Sequence, residues 1–419
     1  MCHGNNKSDK NSTGGHQMRI MIINTYYYPE IMGGAEYSVK KLAEALTISG
    51  NDVLVVSTGD KDSKETVNGV NIWRVKPHNV CRAIHIDSCS RAKKALHRIE
   101  DLWNIRNLTT INKILDEFKP EVVHTNGLYD ITPVIWKAAK KRNISVVHTL
   151  RDYYLMCPRV AMACKKTKGK KCTNPMIFCR LHRGLNRFHS KYVDVVTAPS
   201  SITLNVLIDA GFFARSKKHV VPNATDFDQH KVASILKAKR RKENGIVSFV
   251  YLGTLSEQKG IKWMIDSFNK LKKGTAKLYI AGKGDLEEYV KIEVKKNDNI
   301  KFLGFLNEKK VSELLKKMDV LLCPSLWDEP FGRVVLDAYK HAMPVICSNM
   351  GALPELVKDG KTGYVVDARD QDKMVAKMEH YITFPEDILN HADSGVKELQ
   401  HYTIEHQLTL FEQSYRQDI

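Results

Sequence analysis

No stretch of this chain reaches the roughly 18 consecutive apolar residues that a membrane-spanning helix needs, so no such span is expected. The opening MCHGNNKSDKNSTGGHQ lacks the apolar core of a signal peptide. Residues 1–17 therefore read as a flexible polar tail, and the expected compartment is the cytoplasm, with an inner-membrane surface as a further possibility. There is no P-loop lysine motif and no Gly-x-Ser-x-Gly elbow. The lone Gly282-Lys283-Gly284 lacks the third glycine and the downstream acid of a dinucleotide site. Finger spacing, a basic region with heptads and an aromatic RNA-binding motif are also missing, which argues against nucleic acid as a partner.

Acidic residues are in short supply. Lys and Arg number 65 against 47 Asp and Glu, a net charge of +18. Such a balance suits nucleic acid, an anionic bilayer or anionic substrates. The cations cluster at Lys137–Arg142, Lys165–Lys171 and Lys237–Lys242. Without a nucleic-acid signature, an anionic membrane surface is the preferred partner, each cation near it gaining roughly 1 kcal/mol. Nine cysteines include Cys157, Cys164, Cys172 and Cys179, separated by six, seven and six residues. Zinc ligands come in closer pairs, so free thiols or a local disulfide fit better than a metal. The surrounding Lys and Arg would lower the thiol pKa.

At 43% hydrophobic residues the chain can fill more than one core. MRIMIINTYYYPE reads as a buried strand and loop. The next segment places Val39, Leu42, Ala43 and Leu46 at helical spacing. DVLVVST follows as a strand, so a parallel sheet is expected. PEVVHTN, ISVVHTL, YVDVVTAPS and KHVVPNATD continue the series. The pattern restarts at GIVSFVYLGTLSEQKG and runs through AKLYIAGKGD, NIKFLGFL, DVLLCPS, MPVICS and TGYVVD. The expectation is α/β throughout: a first domain over 18–215, a second over 216–390, and a C-terminal helix in 391–419 packing back on the first. Ser90–Glu117 reads as one long helical pattern.

Ligands in open α/β sheets bind beyond the carboxyl ends of strands, which directs attention to the loops there. Gly33 and Gly34 either permit close approach of backbone amides to an anion at a helix start or serve a turn needing positive φ. Lys259 stands beside a helix N-terminus, where a cation is poorly placed for the dipole; it is either solvated or holds an anion such as a diphosphate. In DEPFGRVVLD, Pro330 suits a first turn, Gly332 allows close approach, and the amides of Phe331, Gly332, Arg333 and Val334 would donate into a cleft. Glu329 and Asp337, about two turns into the helix, could accept from sugar hydroxyls. His124, His148, Arg151 and Asp152 fall at strand ends. Arg151 suits phosphate, and a neutral histidine could act as a base.

In this order and spacing, PEIMGGAEYSVKKLAEAL, GTLSEQKG, VVPNATD and PSLWDEPFGRVVLDAYKHAMPVICSNMGALPELVKDGKTGYVV resemble the retaining glycosyltransferases of family 4. The likeness extends over nearly the whole chain after residue 18. It implies a GT-B fold, two Rossmann-like domains facing across a cleft. It also implies transfer of a hexose or related sugar from a nucleotide-sugar donor to a hydroxyl acceptor, without metal or other cofactor. On this resemblance Glu329 touches the donor sugar, Asp337 the ribose and Lys259 the diphosphate. Gly33 and Gly34 face that diphosphate, and the EPFG amides bind the sugar. Arg151 and Asp152 stand where relatives carry His-Asp, so Asp152 or His124 would have to serve as the acid–base group. Two departures concern the donor: Asp337 is shorter than the family's Glu, and Thr254 replaces an arginine. The basic charge suggests a lipid-linked or polysaccharide acceptor at the inner face of a membrane, in cell-surface polysaccharide or lipopolysaccharide assembly. A non-catalytic chain of the same fold, binding a nucleotide sugar or scaffolding a membrane assembly, is the alternative.

Overall fold

Apolar runs such as RIMII alternate their side chains between two faces, and here both faces are covered. In the computed structural model, Met21 and Ile23 enter one core with Leu54 and Val56. Ile20 and Ile22 enter another with Val53 and Val55. The structure describes residues 17–31, 33–102, 104–160, 162, 172–240 and 245–416. The rest of the expected tail, Cys164, Lys165–Lys171, Arg241 and Lys242 lie outside the described residues.

The strands are β1 (Arg19–Ile23), β2 (Asp52–Thr58), β3 (Ser63–Val67), β4 (Val70–Val75), β5 (Val122–Thr125), β6 (Ser145–Thr149), β7 (Val195–Ala198) and β8 (Lys217–Val220). A second set follows: β9 (Val247–Leu252), β10 (Ala276–Ala281), β11 (Ile300–Gly304), β12 (Val320–Cys323), β13 (Val345–Ser348) and β14 (Gly363–Val366). They form two sheets, ordered β3-β4-β2-β1-β5-β6-β7-β8 and β11-β10-β9-β12-β13-β14. All pairings are parallel except β3 with β4. That hairpin was not anticipated, although its Asn68-Gly69 turn, with φ of 52° and 81°, is a strong hairpin signal.

Three expectations are corrected. β8 pairs with β7, Val195 opposite Lys217 through Ala198 opposite Val220, so the first domain runs to Val220 and not 215. The helix Glu386–Glu398 stays with the second domain, where Gly395 lies against Tyr339 and Ala392 joins Leu236 and Ala342. The return begins only at Leu399–Tyr402. Ser90–Glu117 forms two helices, Arg91–Leu102 and Ile105–Phe118, the second capped by Asn104 accepting from the Asn107 amide at 3.0 Å.

The outgoing and returning chains lie side by side, the Thr225 amide bonding the Tyr402 carbonyl at 2.8 Å. The last helix, Ile404–Arg416, then buries Phe411 and Tyr415 in the first domain's core. Among the described residues no helix is long and apolar enough to cross a membrane.

Candidate active site

The loops after β1, β6, β9 and β12 open onto one cleft of about 1300 Å³, lined from both domains. Most of the residues singled out from the sequence reach its wall: Gly33 and Gly34, Arg151 and Asp152, Thr254 and Lys259, and Glu329 through Val334.

Glu329 is 8% exposed and accepts from Ser325 Oγ at 2.6 Å. Its carboxylate forms an ion pair with Lys259. Lys259 also lies 5.0 Å above the Trp327 ring. Lys259 is therefore not simply solvated, and the anion it holds here is the Glu329 carboxylate. The Pro330 carbonyl accepts from Ser200 Oγ at 2.8 Å and Thr203 Oγ1 at 3.0 Å, fixing this loop against the first domain. Gly332 adopts φ 98°, and a Cβ there would lie 2.7 Å from Leu353 Cδ2, so glycine is required twice over. The helix Arg333–Lys340 starts directly after it, and its first amides have no intrahelical partner.

On the opposite wall, neither Gly33 nor Gly34 has the positive φ of a strained turn; Gly33 is extended at −169°. The Gly33 amide donates to Glu36 Oε2 at 2.8 Å. Burial raises the Glu36 pKa against that hydrogen bond. Gly34 is needed for close approach: a Cβ there would lie 2.7 Å from Arg333 Cδ. Asp152 accepts from the Tyr129 hydroxyl at 2.6 Å and the Tyr154 amide at 2.7 Å. Burial raises its pKa, and those two bonds pull the other way. Asp152 is thus a carboxylate held in the cleft at a fixed angle.

Three residues are not where the sequence suggested: His148 is buried off the cleft wall, its Nδ1 bonded to Thr125 Oγ1 at 2.8 Å, and His124 and Asp337 are the other two. His124 is fully buried away from the cleft wall, between Tyr415 Oη at 2.8 Å and Thr149 Oγ1 at 2.7 Å. Burial holds its pKa well below the usual range, and both ring nitrogens are occupied. It ties the returning helix to β5 and cannot reach a substrate. Asp337 stands one turn, not two, behind Arg333, because the helix begins only at Arg333. It pairs with Lys340 at 3.0 Å and does not line the cleft.

The thiol expectation also changes. Cys157, Cys172 and Cys179 are free. Burial pushes the Cys157 thiol up, and backbone hydrogen bonds oppose this without outweighing it. A grouping that sequence spacing concealed is His97, Asp101 and Asp130, whose donor atoms lie within 4.8 Å of one another. His97 Nε2 meets Asp130 Oδ1 at 2.8 Å, Asp130 Oδ2 accepts from the Ala83 amide, and Asp101 Oδ1 from the Asp130 amide. With every member bonded to protein, the cluster tethers the helix Arg91–Leu102 to the loop after β5. Glu36, Tyr129, Trp327 and Asn223 were also missed. Only Glu36 had a local signal, its Gly-x-x-Glu capping spacing.

Two facing doubly wound domains with a cleft at their strand ends define the GT-B class. Residues 32–229 match the family model described as Glycosyltransferase Family 4, and residues 234–393 match Glycosyl transferases group 1. An uncharacterised 42.6 kDa protein encoded in the cps region of Klebsiella pneumoniae is 32% identical over 344 residues, 81% of this chain and 87% of that one. The Anabaena protein HepE in complex with UDP superposes with a TM-score of 0.67 at 17% identity, covering 95% of this chain and 99% of that chain. The lipopolysaccharide outer core galactosyltransferase WaaB does so at 0.66 and 16%, covering 96% and 100%. The chain belongs to the group 1, family 4 glycosyltransferases.

Proposed function

We propose that this glycosyltransferase moves a sugar from a nucleotide-diphosphate donor to a hydroxyl of a lipid-linked or polysaccharide acceptor, with retention of anomeric configuration, in cell-surface polysaccharide assembly. The observation that carries this reading is the convergence of Glu329, Lys259 and the start of the helix Arg333–Lys340 on the second wall, opposite Asp152 on the first. Glu329 would accept from donor-sugar hydroxyls. Lys259 would exchange its carboxylate for the leaving diphosphate, whose developing charge is where preorganised cations act most. Asp152 would orient the acceptor hydroxyl. No resident metal enters these steps. The cps-region relative and the lipopolysaccharide galactosyltransferase support the biosynthetic setting. The UDP complex of HepE supports a nucleotide donor.

The proposed workplace is an anionic membrane surface. The helix Ile177–Ser190 supports it by being inverted: it buries His182, Asn186, His189 and Ser190. It exposes Ile177, Leu181 and Phe188 beside Arg180 and Arg187, and it contains no acid.

The deciding experiment is a thermal-shift panel of nucleotide diphosphates and nucleotide sugars, followed by a turnover assay with and without chelator. One nucleotide sugar should stabilise the chain and be consumed at the same rate in chelator. No stabilisation by any of them sinks the donor reading. Loss of turnover in chelator sinks metal independence.

A further inference from the structure

Thr254 leaves the loop after β9 without a charge beside the cleft, and Lys259 reaches a diphosphate only by leaving Glu329. Two further cations face the same space, Arg151 and Arg333; neither forms an ion pair among the described residues, and the acids that favour their charge, Glu36 for Arg151 and Asp337 for Arg333, act without a hydrogen bond to them. Arg151 donates from Nε to Asn126 Oδ1 at 3.0 Å and from Nη1 to Asn223 Oδ1. Its Nη2 is shielded from solvent and has no hydrogen-bond partner among the described residues. Arg333 projects from the second domain across to the first. There its Nη1 donates to Ser38 Oγ at 2.8 Å and reaches the Gly34 carbonyl at 3.5 Å, with the guanidinium 4.5 Å from the Tyr37 ring centroid. Every one of these partners is neutral.

The arrangement is electrostatically unfinished. Burial pushes both guanidinium pKa values down, and the field of Arg333 pushes Arg151 further, to about 10; Glu36 near Arg151 and Asp337 near Arg333 oppose this without outweighing it. Both remain charged at neutral pH. Arg333 also begins a helix, where the macrodipole disfavours a cation. Cations withdrawn from water without a carboxylate are strongly unfavourable unless something anionic completes them. A guanidinium fork is shaped for a phosphoryl group.

We propose that Arg151 and Arg333 form the seat for the donor's diphosphate, one from each domain, supplying the charge that Thr254 does not. This deepens the function proposed above and rests on it. Two forks suit two linked phosphoryl groups better than a single carboxylate. Because Arg333 crosses the cleft to Ser38 and Gly34, a diphosphate seated there is gripped from both domains at once.

The test is calorimetric titration of the full chain with UDP, GDP, ADP, their parent nucleosides and inorganic pyrophosphate. Arg333→Leu and Arg151→Met should each weaken the best diphosphate by about 10- to 100-fold, the worth of one charge-assisted contact. The parent nucleoside should bind as before. Arg333→Lys should fall between, and adding Thr254→Arg to Arg333→Leu should recover most of the loss. Melting temperatures identify any variant that fails to fold, in which case the lysine variant and the Thr254 rescue carry the test. If the wild-type chain binds a diphosphate and the arginine variants bind it equally well, the seat is wrong and the donor reading stands. A parallel fall in nucleoside affinity overturns the seat in the same way. If the wild-type chain binds none of the diphosphates, both proposals fall.

Discussion

Lys259 and Glu329 form an ion pair inside the cleft although 70 positions separate them. The pair restrains two groups with different proposed tasks, one for the diphosphate and one for the sugar. Glu329→Ala should lower kcat by about a hundredfold or more, the scale for removing a preorganised polar group from a transition-state site. It should also free Lys259, so affinity for the bare nucleoside diphosphate should hold or rise. A variant with full turnover would remove Glu329 from the active site.

Asp152→Asn should reduce kcat strongly while leaving nucleoside-diphosphate affinity within about threefold. The Tyr129 hydroxyl that donates to Asp152 should matter less, so Tyr129→Phe should cost a smaller factor. Steady-state kinetics beside calorimetry separates the two quantities. Equal loss of both would mean that Asp152 shapes the cleft and does not orient the acceptor.

Gly34→Val would drive its side chain into Arg333 Cδ, which a Cβ at this position already approaches to 2.7 Å. Displacing Arg333 should break its contact with Ser38. The expected outcome is weaker donor binding with a melting temperature lowered by only a few degrees, since core contacts of that helix at Val39 and Leu42 are untouched. A large loss of melting temperature would place the effect on folding instead.

Burial lowers the imidazole pKa of His148 to about 3, with its Nδ1 bonded to Thr125 Oγ1 at 2.8 Å. The unfolded histidine titrates near pH 6.5, so below that pH the unfolded chain binds one more proton than the folded chain. This contribution to stability is present above about pH 6.5 and is lost as pH falls toward 3, at up to roughly 1.4 kcal/mol per pH unit. Buried Asp101 and Asp152, with raised pKa values, act in the opposite sense. The comparison must therefore be between chains: His148→Gln should have a flatter acid limb than wild type in melting temperature from pH 8 to 4. Parallel curves would refute the assignment.

Vesicles test the outer face of the helix Ile177–Ser190. The chain should sediment with phosphatidylglycerol vesicles and not with neutral ones. Leu181→Asp with Phe188→Asp should abolish this and leave donor binding intact, because neither side chain lines the cleft. Unchanged sedimentation would assign the membrane contact elsewhere.

His124 and Asp152 illustrate how far the sequence could be read. Both follow valine-rich runs at strand ends, so strand order alone gave each a place near the cleft. What separates them is Tyr415, 291 positions beyond His124, whose hydroxyl fills the space and claims the ring nitrogen. Asp152 instead faces Tyr129 across the open side of the sheet. Asp337 was misplaced for a local reason, the helix starting at Arg333 because left-handed Gly332 breaks the backbone before it.

The sequence by itself determined the strand–helix order, the two parallel domains and the glycine and acid positions at the strand ends. Those features follow from short-range physics: side-chain alternation, helical spacing and backbone freedom. Only the tertiary structure decided which strand-end side chains share the cleft, that Lys259 meets Glu329, and that Arg333 crosses to Ser38. Such contacts join residues tens to hundreds of positions apart, and their partners are set by how the two domains pack, which no local pattern encodes.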